Sequence, residues 1–254
     1  DEVSEHLKAV RIGITGANAI AAAEGAILFI HNEGNILELM MRCQRHLILA
    51  GIDKVYPNLE EVINMARLLT FYATGAPITS FMNIIAGPSA TADIEKRLLQ
   101  GIHGPEVISL ILLDNGRRQI SGSDFRELLY CIGCGDCLLQ CPAYQVHGER
   151  FSKEHGLGGR GLVYSAVSKG VKADKEKGLD YCLTCRRCAR HCPVGIDVPT
   201  LVRKLRTEYG VKIPEPHLEA GYQFIQSHVR LFFGALRLEI LALLATMLRL
   251  EDTR

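Results

Sequence analysis

The apolar positions in the first half of the chain fall into short runs separated by polar turns. Ala26–His31 (AILFIH) is closed by Asn32-Glu33-Gly34-Asn35, and His46–Ala50 (HLILA) is closed by Gly51; each reads as a buried strand. Phe81–Ala86 and Val107–Leu113 are further strand candidates. Between the second and third strand the period changes to helical. Asn58 is set to cap this helix, Glu61 stands three residues on as in a capping box, and acidic Glu60 and Glu61 complement the dipole. Val62, Met65, Ala66 and Leu69 form its buried stripe, and Gly75 and Pro77 end it. Strands alternating with helices from Glu5 to about Asn115 predict a layered α/β sheet rather than a bundle.

From Ser121 the pattern turns helical. Asp124 with Glu127 makes a second capping-box pattern, and Phe125, Leu128 and Leu129 follow. A later helix is expected to start at Asp197 and Pro199, turn Leu201, Val202 and Leu205 inward, and stop at Gly210. Beyond Pro214 and Pro216 comes a tail in which Ile225, Val229, Phe232, Leu236, Ile240, Leu243 and Met247 recur at helical spacing. Arg230, Arg237 and Glu239 interrupt it, so it is read as an amphipathic helix and not as a membrane span; its apolar face must be covered by the chain's own core, a partner subunit or a membrane surface, and a partner subunit is the expected cover. The expected domains are 1–120, 121–212 and 213–254.

The chemistry is concentrated in two cysteine runs, Cys131-x2-Cys134-x2-Cys137-x3-Cys141-Pro142 and Cys182-x2-Cys185-x2-Cys188-x3-Cys192-Pro193, which hold eight of the nine cysteines. Both repeat the bacterial ferredoxin spacing, in which three close thiolates take three corners of a [4Fe-4S] cube and the fourth reaches the other cluster. On that rule Cys131, Cys134, Cys137 and Cys192 hold one cluster, and Cys182, Cys185, Cys188 and Cys141 hold the second. Two-residue gaps let the backbone coil round a cube corner with its amides aimed at sulfur. Gly133, Gly135 and Asp136 suit that wrap, while Pro142 and Pro193 turn the chain away. Structural zinc usually takes two separated cysteine pairs, and disulfides belong to oxidising compartments, so neither explains the doubled pattern as well.

Composition adds bounds. The 254 residues are 48% hydrophobic, enough for one large or two modest cores, and the net charge of +1 gives no case for a nucleic-acid partner. The charge is uneven, because Gln145–Lys212 holds 14 Lys/Arg against 7 Asp/Glu. A basic surround favours a thiolate-bound cluster, whose oxidised form carries a charge of about −2, although the lysines from Lys169 to Lys177 read as a solvated loop. No secretory or twin-arginine pattern opens the chain and no charge-free apolar run of about 18 residues occurs, so a cytoplasmic location without a transmembrane segment is expected. The numbering begins at Asp1, which is read as lying inside a longer chain.

Weaker signals are assigned little. Cys43 reads as a buried free cysteine. Gly13–Gly16 falls short of a phosphate loop. Gly156–Gly161 matches G-x-G-x-x-G literally but follows the charged stretch Glu149–His155 instead of a strand, and is expected to be a flexible loop. His147, His155 and His191 are expected at the surface or behind the ligands. Asn32–Asn35, at the end of a strand, is either a plain turn or a ligand-binding edge.

Dispersed motifs then carry a family resemblance. Gly13–Ala17 (GITGA), Ala23–Gly25 (AEG), Asn32–Asn35 (NEGN), Gly51–Val55 (GIDKV), Pro57–Glu61 (PNLEE), Gly104–Glu106 (GPE) and Leu112–Arg117 (LLDNGR), running into the double cysteine motif, resemble the iron-sulfur subunit of the lactate-utilisation, LUD-domain proteins over most of residues 10–210. The resemblance implies a partial LUD domain of the NagB/RpiA/CoA-transferase-like α/β fold, followed by an all-α dicluster ferredoxin domain. It also implies a multi-subunit cytoplasmic system oxidising L-lactate to pyruvate, with a 2-hydroxy acid bound elsewhere in the complex. The family's LUD domain is longer, so its amino-terminal half is expected to be missing or supplied elsewhere. Phe151–Lys177 is equally similar to the ferredoxin subunits of heterodisulfide-reductase-like complexes.

The expected role is electron transfer through two [4Fe-4S] clusters. No Ser/His/Asp set, carboxylate pair or catalytic metal arrangement is visible, so no catalytic residue is named and enzymatic activity of the chain itself is left open. The alternatives are a subunit of another anaerobic redox complex, a LUD part that itself binds a small acid or cofactor, and, more distantly, a structural zinc module.

Overall fold

The computed structural model describes residues 10–87, 90–91, 99–100, 104–151, 156–169 and 178–208. The expected C-terminal tail, His155 and the lysines Lys172, Lys175 and Lys177 lie outside these residues.

The amino-terminal half is built from strands β1 (Ile12–Gly16), β2 (Ala19–Ala21), β3 (Ala26–His31), β4 (Arg45–Gly51), β5 (Val55–Tyr56) and β6 (Phe81–Ile85), a short β7/β8 pair (Ala90–Thr91, Leu99–Gln100) and β9 (Val107–Leu113). Helix α1 (Asn35–Arg42) follows β3 and α2 (Leu59–Thr74) follows β5. As the sequence predicts, the Asn58 side chain accepts from the Glu61 amide at 3.0 Å, a cap that contributes about 1 kcal/mol. Gly75 ends α2 in the left-handed conformation.

These elements form three layers. The order β5-β2-β3-β6 makes a mixed sheet, and β1-β4-β9 makes a parallel one. One face of the mixed sheet sets Ala19, Ala21, Ala26 and Leu28 against Val62, Met65 and Ala66 of α2. The other sets Ile20, Ile27 and Phe29 against Ile48 and Ala50 of β4 and Met40 of α1. The small alanines let α2 lie close to the sheet.

One expectation is corrected here, that β3 and β4 are both buried strands: β3 is, but β4 buries only His46, Ile48 and Ala50. Its Leu49 shares an exposed outer face with Ile12, Ile14, Val107 and Ile111, because the chain between the parallel strands builds layers on the inner side. Gly13–Gly16, which falls short of a phosphate loop in sequence, lies in strand β1. Gly13 is needed there because a Cβ would come within 2.3 Å of Leu39 Cδ2 of α1, with the Cys43 sulfur at 3.1 Å.

After β9 the described residues form helices and turns. They are α3 (Arg117–Ser121), a 3-10 turn (Arg126–Tyr130), α4 (Asp136–Leu139), α5 (Pro142–His147), a second 3-10 turn (Gly148–Arg150), α6 (Gly158–Lys169), α7 (Arg187–Arg190) and α8 (Val198–Glu208). The expected capping box at Asp124 and Glu127 does not form, because Arg126–Tyr130 is a 3-10 turn without a side-chain cap. The Ser123 hydroxyl instead accepts from the Phe125 amide, and Asp124 pairs with Lys204 of α8.

The glycine run is also corrected: Gly158–Gly161 is the first turn of α6, not a flexible loop. Its glycines permit close packing. A Cβ on Gly158 would meet Leu138 at 2.5 Å, one on Gly159 would meet Val198 at 2.9 Å, and one on Gly161 would meet the Gly156 carbonyl at 2.1 Å. Leu162–Val167 of α6 and Leu201, Val202 and Leu205 of α8 are buried, the latter three as the sequence predicts. Among the described residues no helix is long and apolar enough to cross a membrane.

Candidate metal centre

The two cysteine runs have the same backbone. In the first, Gly133 and Gly135 take φ of 82° and 79°, and Gly135 starts α4. At the equivalent positions of the second, Thr184 and Arg186 take φ of 51° and 62°, and Arg186 starts α7. Each run therefore passes its first three cysteines round a left-handed wrap into a four-residue helix, then to the fourth cysteine and a proline. The carbonyl of each run's first cysteine accepts a bond from a cation. Lys54 Nζ donates to the Cys131 carbonyl at 3.3 Å, and Arg206 Nη2 donates to the Cys182 carbonyl at 2.6 Å.

The wraps face two adjacent cavities. The first is lined by Cys131, Cys134, Cys137 and Cys192, with Cys188, Arg160 and the apolar Ile132, Val194, Ile196 and Val198. The second is lined by Cys141, Cys182, Cys185 and Cys188 beside Leu183, Thr184 and Pro199. Burial pushes the Cys137 thiol up to about 12, and the neighbouring sulfurs that add to this are Cys131, Cys134 and Cys192. Cys188 is likewise pushed up to about 12, by burial and then by Cys182, Cys137, Cys141 and Cys185. Burial also raises Cys134 and Cys182.

All nine cysteines are free thiols. Among the described residues no three His, Cys, Asp or Glu side chains are gathered closely enough to hold a single metal ion. Arg160 adds a buried Nε–H donor, without a partner among the described residues, in the wall of the first cavity. A thiolate-bound, anionic cluster would satisfy that donor, and binding would release the protons that burial holds on the thiols.

Comparison with known proteins agrees with this donor set. Residues 1–113 match the LUD domain, and residues 127–196 match the 4Fe-4S dicluster domain. The chain joins a LUD domain to a dicluster domain that implies two 4Fe-4S clusters. It is 31% identical over 214 residues to the uncharacterized electron transport protein YkgF of Escherichia coli, covering 83% of this chain and 43% of that protein. It is 33% identical over 196 residues to lactate utilization protein B of Anoxybacillus flavithermus, covering 77% of this chain and 39% of that protein. A third relative, lactate utilization protein B of Bacillus cytotoxicus, is 34% identical over 209 residues, covering 80% of this chain and 42% of that protein. The chain therefore spans about two-fifths of the length of these relatives. A solved DUF162 family protein from Deinococcus radiodurans aligns at 16% identity and a TM-score of 0.27, covering 42% of this chain and 56% of that one.

The LUD domain touches the dicluster domain at the first run. Ile132 completes the hydrophobic core shared by β2, β3 and α2, with Cys134 and Val194 packed on it. Asp53 pairs with Arg117, whose guanidinium lies 5.6 Å from the Tyr164 ring centroid. Lys54, Arg160 and Arg206 were not singled out from the sequence, and only packing brings them to the cysteines. A resemblance motif, GIDKV, did contain Lys54.

The minor candidates fall away from the cavities. His147 stacks on Tyr181 with centroids 4.1 Å apart, and His191, within the second run, has its Nδ1 3.8 Å from Asp136 Oδ2; neither lines either of the two cysteine cavities. Cys43 is buried against β1. In the Asn32–Asn35 turn, the Asn32 side chain accepts from the Thr79 hydroxyl at 3.1 Å and the Ser80 amide at 3.3 Å, so its polar atoms hold the turn closed.

Proposed function

We propose that the chain is the iron-sulfur electron-transfer subunit of a multi-subunit cytoplasmic oxidoreductase that oxidises L-lactate to pyruvate, or a close 2-hydroxy acid to its 2-oxo acid. The observation that carries this reading is the gathering of eight thiols round two adjacent cavities that share Cys188 in their walls. In it Cys131, Cys134, Cys137 and Cys192 ligate one cluster, and Cys182, Cys185, Cys188 and Cys141 ligate the other. The ferredoxin spacing and the sulfurs that press on Cys137 and Cys188 both support the crossed assignment. The names of the relatives support the role and the substrate class.

Bound clusters supply one-electron transfer, and the protein supplies position and surroundings. Ile132, Val194, Ile196 and Val198 keep water from the first cavity, Arg160 offers a positive wall, and Lys54 and Arg206 fix the carbonyls from which each wrap begins. The oxidation of the 2-hydroxy acid, which releases two electrons and two protons, belongs to another part of the complex. We further assign 1–120 to a partial LUD domain, 121–212 to an all-α dicluster domain and 213–254 to a helical tail that meets a partner subunit.

Anaerobic isolation of the native complex, with subunit identification and metal analysis, tests the reading. The expected result is about eight iron atoms per chain and co-purifying subunits that oxidise lactate. Zinc in place of iron, or thiol-disulfide enzymes as the companions, would overturn it.

A further inference from the structure

The two runs differ in what surrounds them on the outside. Between Cys131 and Cys141 the sequence holds one acid, Asp136, and no Lys or Arg; between Cys182 and Cys192 it holds Arg186, Arg187 and Arg190 and no Asp or Glu. The residue after the first cysteine is buried Ile132 in one run and Leu183, 65% exposed, in the other. Cys185 is the one exposed cysteine of the eight in the two runs. Arg186 is engaged by Asp197 at 2.7 Å, while Arg187 and Arg190 stand one turn apart on α7, both exposed.

We propose that the exposed surface of the second run, where Leu183 and Cys185 line the second cavity and Arg187 and Arg190 follow on α7, is the docking surface for a small acidic one-electron carrier protein. The proposal rests on the electron-transfer reading above. An electron-transfer contact needs only a small interface, and here one apolar side chain provides a dry contact while two arginines select a negatively charged partner and steer its approach. The first run exposes Leu139 but carries no Lys or Arg between its cysteines, and its Ile132 is committed to the LUD core, so it lacks the positive charge that would select an acidic partner. The step is a single electron exchange: the chain is oxidised by one electron as the oxidised carrier is reduced, and no bond or proton changes place.

The test uses the holoprotein purified anaerobically and reduced with dithionite. It is mixed by stopped flow with an oxidised, acidic plant-type ferredoxin and, separately, with a basic c-type cytochrome. Rates are compared at about 20 mM and about 300 mM salt, which changes screening strongly. The expected result is a second-order rate with the acidic carrier that falls about tenfold at the higher salt, with the opposite trend for the basic one. The Arg187→Glu/Arg190→Glu variant is expected to lose that rate advantage and its salt dependence while iron content and electron paramagnetic resonance signals stay unchanged. If that variant fails to take up iron, Arg187→Gln/Arg190→Gln gives the same comparison in milder form. Arg67→Glu, on the exposed side of α2, is expected to leave the rate alone. Exchange that ignores both salt and the α7 variant, or that responds equally to Arg67→Glu, would overturn the docking surface alone. No exchange with either carrier at any salt would overturn the electron-transfer reading and this proposal with it.

Discussion

The first and second cysteine runs trace one backbone with different means. The first reaches its two left-handed positions with Gly133 and Gly135, where the conformation carries little steric cost, and the second reaches them with Thr184 and Arg186. A side chain in that region costs about 1–2 kcal/mol, more for a β-branched residue such as threonine. The first run leans on a neighbouring domain through Ile132, and its Cys131 carbonyl is held by Lys54 from the LUD domain. The second is braced by Arg206 of its own domain and turns Leu183 outward. The cysteine spacing therefore sets the wrap, and the residues between the cysteines decide whether a run is an internal joint or an outer rim.

The sharpest way to break this comparison is to exchange the fourth cysteines. With crossed ligation, Cys141→Ser damages the cluster held mainly by the second run, and Cys192→Ser damages the one held mainly by the first. Each variant is expected to lose roughly half the bound iron, and spectroscopy during redox titration assigns the surviving signal. Loss of the first-run signal in Cys141→Ser would refute the crossing.

Truncating the residue after each first cysteine separates the runs next. Ile132→Ala removes a side chain that is 6% exposed from the core between the mixed sheet and α2, and is expected to cost about 2–4 kcal/mol. Leu183→Ala should stay within about 0.5 kcal/mol, as at other exposed positions. Thermal or denaturant unfolding of the holoprotein reads the difference, and equal losses would mean that the second run is buried in the working protein.

A smaller effect comes from the wrap itself. Nothing lies within 4 Å of a Cβ added at Gly133, so the cost of Gly133→Thr is conformational alone and is expected to be about 1–3 kcal/mol. Thr184→Gly, the reverse exchange, is expected to gain less than it relieves, because glycine also raises the entropy of the unfolded chain. Midpoints of unfolding check both, and a neutral Gly133→Thr would mean that the wrap relaxes without cost.

Much of this was legible from the chain. The strands β3, β6 and β9, helix α2 with its Asn58 cap, and the inward stripe of α8 follow directly from periodicity and capping residues, which are local signals. The cysteine spacing carried the cofactor because cluster ligation is itself a local pattern. What escaped was set by packing between distant segments. The glycines of Gly156–Gly161 look like a loop until Leu138 and Val198 press on them, and then they are the contact face of α6. Asp124 has a capping pattern, yet Lys204 of α8 takes its carboxylate. Thr184 and Arg186 carry no sign of a left-handed backbone, and only their register with Gly133 and Gly135 could have revealed it.

The same contrast extends to pH through the LUD domain on which the first run leans. His46 of β4 is fully buried, its Nε2 lies 2.7 Å from the Thr15 hydroxyl, and its Nδ1 has no partner among the described residues. Burial holds its pKa below the ordinary 6.5, because a charged ring would lose its hydration there. The unfolded chain therefore binds a proton more readily than the folded one. The stability this gives the LUD domain is fully present above about pH 6.5 and is lost as pH falls from there toward the lower folded value, by at most about 1.4 kcal/mol per pH unit. Acidification from pH 7 to 5.5 is expected to loosen the first-run cluster before the second, since Ile132 and Lys54 tie the first run to the LUD domain that His46 destabilises when protonated. His46→Gln, which keeps a partner for Thr15 and cannot titrate, should flatten the dependence, with the unfolding midpoint followed against pH in both proteins. An unchanged slope in the variant would assign the acid sensitivity to another group, and simultaneous loss of both clusters would show that the second run shares the support of the first.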